Sequence, residues 1–267
     1  MISERAPAKV NLLLHVGPRR EDGLHELCSL FATIDLADDV TVEEAAADEV
    51  VCEGIPGPNL ALAAVERFRA EAAPDLPPLR VAIEKRIPVA AGLGGGSADA
   101  AAVLRAANEL AGRPLDADGL RALGAGIGAD VPSQVEPRHA LVTGAGEGVE
   151  AVELPPMTLL LVPDEHGLST ADVYARADAL GTTRAELDVE RVRELAARPL
   201  YELTAVLEND LEGAAVSLRP ELDGRMDVLR EAGALTARVT GSGPTVFGVF
   251  RSGEAPEVDG AIRAEIA

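Results

Sequence analysis

Hydrophobic and polar positions alternate along some segments of this chain and recur at helical spacing in others. Residues 79–84 alternate, which predicts a strand that ends at Pro88. The mostly apolar segment 6–16 predicts a second strand. Because side chains two residues apart in a strand share a face, we expect Lys9 and Asn11 on the same side of it.

Further helices and strands follow along the rest of the chain. The predicted helices span residues 59–70, 98–111, 170–180, 187–197 and 221–232. The predicted strands span residues 40–44, 157–163, 235–240 and 245–250, the last two forming a hairpin through residues 241–244. This mixture predicts an α+β protein, with one domain over residues 1–153 and a second over residues 154–267.

The charge balance argues against several kinds of partner. The 267 residues carry 24 Lys and Arg against 45 Asp and Glu, a formal net charge of −21. Such an acidic surface repels phosphate backbones, so we expect no nucleic-acid partner. The apolar stretches are shorter than the roughly 20 residues of a membrane span, and the N-terminus lacks a secretory pattern. Cys28 and Cys52 form no CxxC pair, so we expect two free thiols in a cytoplasmic protein.

A glycine-rich segment separates the strand that ends at Pro88 from the helix predicted from Ala98. Residues 92–97 read Gly-Leu-Gly-Gly-Gly-Ser. Glycine lets backbone N–H groups reach phosphate oxygens, and a helix N-terminus adds further donors. Ser97 can cap the helix or contact a phosphate or its metal. The segment contains neither the Gly-Lys pair of a P-loop nor the dinucleotide fingerprint, which argues against a dehydrogenase. We favour phosphate binding over the alternative, a tight turn that serves helix packing.

Lysine is rare in this chain. Lys9 and Lys85 are the only lysines, and the other cations are all Arg. Arg cannot replace Lys where a compact point charge is needed, which makes both lysines candidates for a functional site. The alternative is that two lysines were left by chance.

Asp130 is the candidate for acid–base chemistry. Phosphoryl transfer to an alcohol needs a carboxylate that orients or deprotonates the hydroxyl. Asp130 lies between small residues and a rigid Val-Pro pair in the segment 128–132, and Lys9 is a candidate cationic partner. The alternative is an ordinary turn or helix cap. The spacing of the histidines predicts no metal site.

Five segments of the chain together resemble one family, and they occur in the order found there. They are Ala-Lys-Val-Asn-Leu at 8–12, Arg-Glu-Asp-Gly-Leu-His-Glu-Leu at 20–27, Pro-Val-Ala-Ala-Gly-Leu-Gly-Gly-Gly-Ser-Ala-Asp-Ala-Ala-Ala at 88–102, Gly-Ala-Asp-Val-Pro at 128–132 and Thr-Gly-Ser-Gly-Pro at 240–244. The chain resembles the GHMP small-molecule kinases over residues 6–250. The segment Asn-Asp-Leu-Glu at 209–212 matches the second domain of that family.

The resemblance implies a fold, an activity and cofactors. The implied fold has two domains, an N-terminal one that resembles the second domain of a small-subunit ribosomal protein and a ferredoxin-like C-terminal one. The first and second segments are typical of the branch that phosphorylates the 2-hydroxyl of 4-diphosphocytidyl-2-C-methylerythritol. The implied cofactors are ATP and Mg²⁺, and the implied partner is that small-molecule substrate.

The resemblance also implies roles for individual residues. Asp130 takes the proton of the attacking hydroxyl, and Lys9 holds that hydroxyl and its charge. Asn59 and Lys85 line the adenine nucleotide site, and Asn11, His25, Thr170 and Tyr174 meet the cytidine or sugar end of the substrate. The ATP phosphate loop comprises Pro88, Val89, Ala90, Ala91, Gly92, Leu93, Gly94, Gly95, Gly96, Ser97 and Ala98. No protein ligand for the metal is implied beyond Ser97.

The chain departs from the family pattern at a few positions. Leu24 replaces the usual aromatic before His25, Ser133 and Gln134 replace apolar or aromatic residues, and Ala98 replaces a frequent second serine. We therefore expect weaker recognition of the cytosine ring, because the aromatic stacking term is lost at residue 24. Two alternatives stay open. One is a GHMP kinase for a homoserine-like or mevalonate-like alcohol, and the other is a nucleotide-binding protein without kinase activity.

Overall fold

The computed structural model describes residues 1–54, 60–164 and 166–266. These residues form two compact units. The first comprises Met1–Ala8, Leu36–Ile87 and Gly94–Arg138, and the second comprises Lys9–Asp35, Pro88–Leu93 and His139–Ala267. The predicted domain boundary between residues 153 and 154 stays a prediction.

Two long strands contribute to both units, and the other elements of the first unit follow them. The elements are β1 (Ile2–Arg19), β2 (His25–Glu44), β3 (Glu49–Cys52), α1 (Leu60–Glu71), β4 (Leu79–Glu84), α2 (Gly95–Leu110), α3 (Ala117–Ala125) and α4 (Val131–Gln134). Strand β1 pairs with β2. Strand β2 runs antiparallel to β4, with Asp39 opposite Glu84, and β4 runs parallel to β3.

The core of the first unit lies between these strands and the helices α1 and α2. In β4, Leu79, Val81 and Ile83 are buried while their neighbours are more accessible, as the alternating pattern requires. Helix α2 buries a run of alanines with Val103 and Leu104, and small side chains let it approach α1 closely. Each large apolar side chain that is fully buried contributes roughly 1.5–3 kcal/mol.

The second unit contains an antiparallel sheet with helices packed on it. Its further elements are β5 (Ala140–Gly144), β6 (Gly148–Ala151), β7 (Met157–Val162), α5 (Thr170–Leu180), α6 (Val189–Ala196), α7 (Leu200–Thr204), α8 (Glu212–Leu218), α9 (Glu221–Glu231), β8 (Thr236–Val239), β9 (Val246–Arg251) and β10 (Ile262–Ile266). The sheet has the order β10-β7-β9-β8. Its core includes Leu160, Val246 and Phe250, with Leu222 and Leu229 from α9.

Most predicted elements are present, and one boundary differs in the region that matters for function. Helix α2 starts at Gly95 rather than at Ala98, because Gly94 adopts a left-handed conformation (φ 72°) at the N-cap. Gly95, Gly96 and Ser97 therefore form the first turn of the helix. The prediction of two free thiols at Cys28 and Cys52 is confirmed. None of the helices described between residues 1 and 266 is both long and apolar enough to cross a membrane.

Candidate active site

In the second unit, the first half of the predicted phosphate loop lies against β1 and against the turn at residues 241–243. The backbone N–H of Lys9 donates to the carbonyl of Leu93 at 3.0 Å. Gly92 has a φ of 76°, and a Cβ on it would stand 2.7 Å from the carbonyl oxygen of Gly243. A side chain at residue 92 is therefore excluded by both backbone conformation and space.

Gly92→Ala is expected to lower the free energy of unfolding by about 1–3 kcal/mol, because alanine strains the left-handed backbone and collides with a carbonyl that cannot move aside. Gly96→Ala is the matched control. Its Cβ would meet Leu60 Cδ1 at an ordinary 3.7 Å, and alanine favours a helix over glycine by roughly 0.5–1 kcal/mol. Thermal unfolding of both variants measures the difference, and equal shifts in Tm would contradict the close approach.

In the first unit, the second half of the loop forms the N-terminus of α2. Gly94 is the N-cap, and no side chain caps the helix. One alternative for Ser97, that it caps α2, is therefore wrong, because Ser97 lies three residues inside the helix. The first turn presents backbone N–H groups and the positive end of the helix dipole, which are suited to an anion.

Lys9 is buried, with 5% of its surface exposed. Its Nζ donates to Asn11 Oδ1 at 2.6 Å and lies 4.8 Å from the centre of the Phe31 ring. Asn11 Nδ2 in turn donates to Ser29 Oγ at 2.9 Å, so the amide oxygen of Asn11 is turned toward the ammonium. A buried ammonium needs such partners, because removing the charge from water is costly. The expected shared face of Lys9 and Asn11 is confirmed by this contact.

The turn at residues 241–243 lies beside Asn11. The backbone N–H of Asn11 donates to Thr240 Oγ1 at 2.9 Å. Gly241 has a φ of 57°, and a Cβ on it would stand 3.1 Å from Asn11 Oδ1. Asn209 fixes the turn by donating its Nδ2 to the carbonyls of Val239 and Gly241 at 2.7 and 2.8 Å. The 209–212 segment therefore has a structural role at this turn.

His25 and Tyr174 stack on one another in the second unit. Their ring centres are 5.3 Å apart and their planes are inclined by 30°. The Nε2 atom of His25 is 2.9 Å from Asp178 Oδ1, one turn beyond Tyr174 on α5. Thr170, at the start of the same helix, has its hydroxyl 3.0 Å from that of Ser242. The four predicted substrate residues therefore lie around β1, β2, α5 and the 241–243 turn.

Asp130 is half-buried in the first unit and occupies the N-cap position of the short helix α4. Its side chain makes no capping hydrogen bond to α4, but the residue lies in a turn, so the structural alternative for Asp130 stays open. The hydroxyl of Ser133 donates to the backbone carbonyl of Asp130 at 2.8 Å, which fixes the main chain there. The role of Asp130 as a base stays a prediction.

Lys85 lies at the end of β4 and pairs with two carboxylates that the sequence did not single out. Its Nζ is 2.5 Å from Asp38 Oδ2 and 2.8 Å from Asp99 Oδ2. Burial raises the pKa of Asp99 to about 6, although the charge of Lys85 acts in the opposite direction. The rarity of lysine pointed to this position, but no local signal identified Asp38, Asp99 or Asp178.

Two further predictions concern the nucleotide and metal sites. Asn59 lies outside the described residues, so its placement beside the nucleotide stays a prediction. Over residues 1–54, 60–164 and 166–266, no group of three or more His, Cys, Asp and Glu side chains could hold a metal ion.

Family models match both halves of the chain. Residues 59–136 match the model of the GHMP kinases N terminal domain, and residues 185–266 match that of the GHMP kinases C terminal domain. The fold and these two matches together define a small-molecule kinase of the GHMP class.

Comparison with individual relatives identifies one family within this class. The 4-diphosphocytidyl-2-C-methyl-D-erythritol kinase of Geobacter sulfurreducens is 41% identical over 97% of this chain and 92% of its own. A crystal structure of 4-(cytidine 5'-diphospho)-2C-methyl-D-erythritol kinase is 35% identical with a TM-score of 0.80, covering 99% of this chain and 98% of that one. Homoserine kinase from Cytophaga hutchinsonii shares the fold, with 19% identity and a TM-score of 0.68 over 94% of this chain and 86% of its own.

The chain therefore belongs to the GHMP kinases, in the family of the 4-diphosphocytidyl-2-C-methyl-D-erythritol kinases. The α+β GHMP kinase fold predicted from the sequence is confirmed.

Proposed function

We propose that this chain transfers the γ-phosphoryl group of ATP to the 2-hydroxyl of 4-diphosphocytidyl-2-C-methyl-D-erythritol, giving the 2-phosphate and ADP. This reaction belongs to the non-mevalonate route to isoprenoid precursors. The observation that carries the proposal is a relative named for this substrate that is 41% identical over 97% of the chain.

The first turn of α2 fits the phosphates of ATP. Gly94, Gly95 and Gly96 bring backbone close to a bound anion, and no side chain caps the N-terminus of the helix. We assign the phosphates to residues 88–98, with Asn59 and Lys85 on the nucleotide side. The small side chains matter because a bulky one in this turn would keep the phosphate oxygens away from the N–H groups.

Mg²⁺ bound with ATP would neutralise phosphate charge. The Ser97 hydroxyl is a hard oxygen donor in the first turn of α2 and suits this ion. The residues that the structure describes contain no acidic cluster for a dedicated metal cage. Phosphates and water usually supply most of the ligands of Mg²⁺, so we propose a single protein ligand, the Ser97 hydroxyl.

The proposed chemistry uses one carboxylate and one ammonium. Asp130 accepts the proton of the 2-hydroxyl as its oxygen forms a bond to the γ-phosphorus, and the bond from that phosphorus to the departing ADP oxygen breaks. Lys9 holds the hydroxyl and opposes the negative charge that develops. Such a mechanism obtains its rate from positioning and electrostatic stabilisation, because phosphoryl transfer needs little covalent help from the protein.

The cytidine and sugar end of the substrate is assigned to Asn11, His25, Thr170 and Tyr174. His25 stacks on Tyr174 and also hydrogen-bonds to Asp178. These two contacts support the assignment, because they hold both rings in one orientation. Leu24, which precedes His25 in the chain, is 54% exposed. Its side chain can make apolar contact with the cytosine ring, but it lacks the stacking free energy of about 0.5–1.5 kcal/mol that an aromatic side chain would add.

ADP release from Mg-ATP tests the proposal, with 4-diphosphocytidyl-2-C-methylerythritol, homoserine and mevalonate offered separately. We expect turnover that requires the diphosphocytidyl substrate. Turnover with homoserine or mevalonate instead would place the chain in another branch of the GHMP kinases. Binding of ATP with no turnover on any of the three would favour a nucleotide-binding protein without kinase activity.

A further inference from the structure

The imidazole ring of His25, at the start of β2, is held by two side chains of α5. The His25 side chain is 7% exposed. Its ring stacks on Tyr174 with the ring centres 5.3 Å apart, and its Nε2 lies 2.9 Å from Asp178 Oδ1. Tyr174 and Asp178 are one helical turn apart and therefore share a face of α5. A single helix thus sets the orientation of this imidazole.

The contact with Asp178 decides which ring nitrogen of His25 carries the hydrogen. A neutral imidazole has one N–H donor and one acceptor nitrogen, whereas a carboxylate only accepts hydrogen bonds. The hydrogen of His25 therefore lies on Nε2 and is donated to Asp178 Oδ1. Because the hydrogen bond at one ring nitrogen fixes the state of the other, Nδ1 is left as an acceptor.

The Nδ1 atom of His25 is suited to a ligand. Among the residues that the structure describes, none forms a hydrogen bond to it. The two nitrogens lie on different edges of the ring, so Nδ1 is directed away from Asp178. In a side chain that is more than nine-tenths buried, an acceptor normally has a hydrogen-bond donor. This position therefore favours a ligand with an N–H or O–H group.

We propose that Asp178 is a positioning residue that makes His25 select cytosine over uracil as the base of the substrate. This assignment rests on the proposed function and deepens it. Cytosine carries an exocyclic amino group, which donates to an acceptor such as Nδ1. Uracil carries a carbonyl oxygen at the same ring position, so two acceptors would face one another and both would lack a donor.

The ring of Tyr174 can support the same base. A base that meets Nδ1 edge-on lies near the plane of the imidazole, and the plane of the Tyr174 ring is inclined to it by 30°. One orientation of the base therefore permits both the hydrogen bond and contact with the aromatic face. Leu24 offers no second aromatic face. The hydrogen bond to His25 consequently carries more of the base recognition in this chain.

Asp178→Asn tests the proposal by comparing two bases. Values of kcat/KM are measured with 4-diphosphocytidyl-2-C-methylerythritol and with its uracil counterpart at about pH 8, where histidine is ordinarily neutral. Wild-type protein should prefer the cytosine substrate by about 10²-fold or more. The asparagine amide can donate to Nε2 as well as accept from it, so both tautomers become available. The preference should fall about tenfold, through a higher KM for the cytosine substrate with kcat unchanged.

Two further variants separate the tautomer from lost charge and from disturbed packing. Asp178→Glu keeps a carboxylate that can accept from Nε2, and it should retain most of the preference. Asp227→Asn removes a carboxylate from the surface of α9, where the side chain is 60% exposed and pairs with Arg230. It should leave the preference and both KM values unchanged, because exposed ion pairs contribute little.

Nitrogen-15 NMR of histidine-labelled protein measures the tautomer without any turnover. The chain has 4 histidines, and the signals that disappear in His25→Gln are those of His25. In wild-type protein we expect the hydrogen on Nε2 and an unprotonated Nδ1. In Asp178→Asn we expect a mixture of the two tautomers.

The outcomes are distinct. If wild-type protein phosphorylates the cytosine substrate and Asp178→Asn keeps the full preference, the proposal for Asp178 fails and the proposed function stands. The same holds if the hydrogen of wild-type His25 lies on Nδ1, or if Asp178→Glu loses as much preference as Asp178→Asn. If wild-type protein phosphorylates neither substrate, the proposed function fails and the role of Asp178 fails with it.

Discussion

Asp130→Asn is expected to lower kcat for phosphoryl transfer by a factor of about 10²–10⁴ while leaving the affinity for ATP unchanged. Asparagine keeps the shape of the side chain but cannot accept the hydroxyl proton. The fold should survive, because the substitution keeps the size of the side chain and breaks no cap of α4. ADP release measures kcat, and calorimetry with the imido analogue of ATP measures binding.

Asp118→Asn is the matched control for this result. Asp118 is a carboxylate of the same unit, its side chain is 88% exposed, and it pairs with Arg121 on the surface of α3. Its loss should leave kcat unchanged, since surface ion pairs contribute little. If Asp130→Asn keeps more than about a tenth of the wild-type kcat, Asp130 is not the base.

Lys9→Met is expected to reduce kcat by a factor of about 10²–10³, the usual cost of removing one group that stabilises transition-state charge in a water-excluded site. Methionine keeps most of the length of the side chain but lacks the ammonium that lies 4.8 Å from the centre of the Phe31 ring. The variant leaves Asn11 Oδ1 without its ammonium donor, which should cost about 1–3 kcal/mol of stability. Kinetics are therefore measured below the Tm of the variant, which thermal unfolding supplies.

Lys9→Arg and Arg251→Met complete this test. The planar guanidinium cannot occupy the space of a compact ammonium held 2.6 Å from Asn11 Oδ1, so Lys9→Arg should be nearly as slow as Lys9→Met. Arg251 carries an exposed charge in the same unit, and Arg251→Met should keep full activity. Full activity of Lys9→Arg would show that only a positive charge is needed at residue 9.

Well-bounded elements were predictable from local pattern, whereas the long strand β2 (His25–Glu44) was predicted only over residues 40–44. The start and the alternation of β4 match the prediction because its buried and accessible positions alternate, although the strand ends at Glu84 rather than at Pro88. Helix α5 also matches, because Ser169 caps its start by accepting from Asp172 N, and Gly181 ends it in a left-handed conformation. In both cases the residues that define the element are neighbours in sequence.

Short elements were missed where their partners are distant in sequence. Strand β10 has five residues and exists through its pairing with β7, in which Ile266 lies opposite Met157. Helix α4 has four residues and follows the corner at Asp130. Such segments bury too few residues to show a period, so only the surrounding fold specifies them.

The amino-acid sequence by itself determined the class of this protein, the glycine loop before α2, and the importance of Lys9, Lys85 and Asp130 as candidate residues. The class follows from the resemblance of five segments to the GHMP kinases, and the glycine loop and the rare lysines are visible in local composition and spacing. The tertiary structure alone decided what these groups contact.

The physical reason is that contacts between distant segments depend on the path of the chain. Gly92 must lack a side chain because the carbonyl of Gly243 lies against it. Lys85 reaches carboxylates on β2 and α2 that differ from it by 47 and 14 positions in sequence. Burial makes such ion pairs costly to break. The sequence therefore indicated which residue types the site contains, and the tertiary structure decided how they are paired.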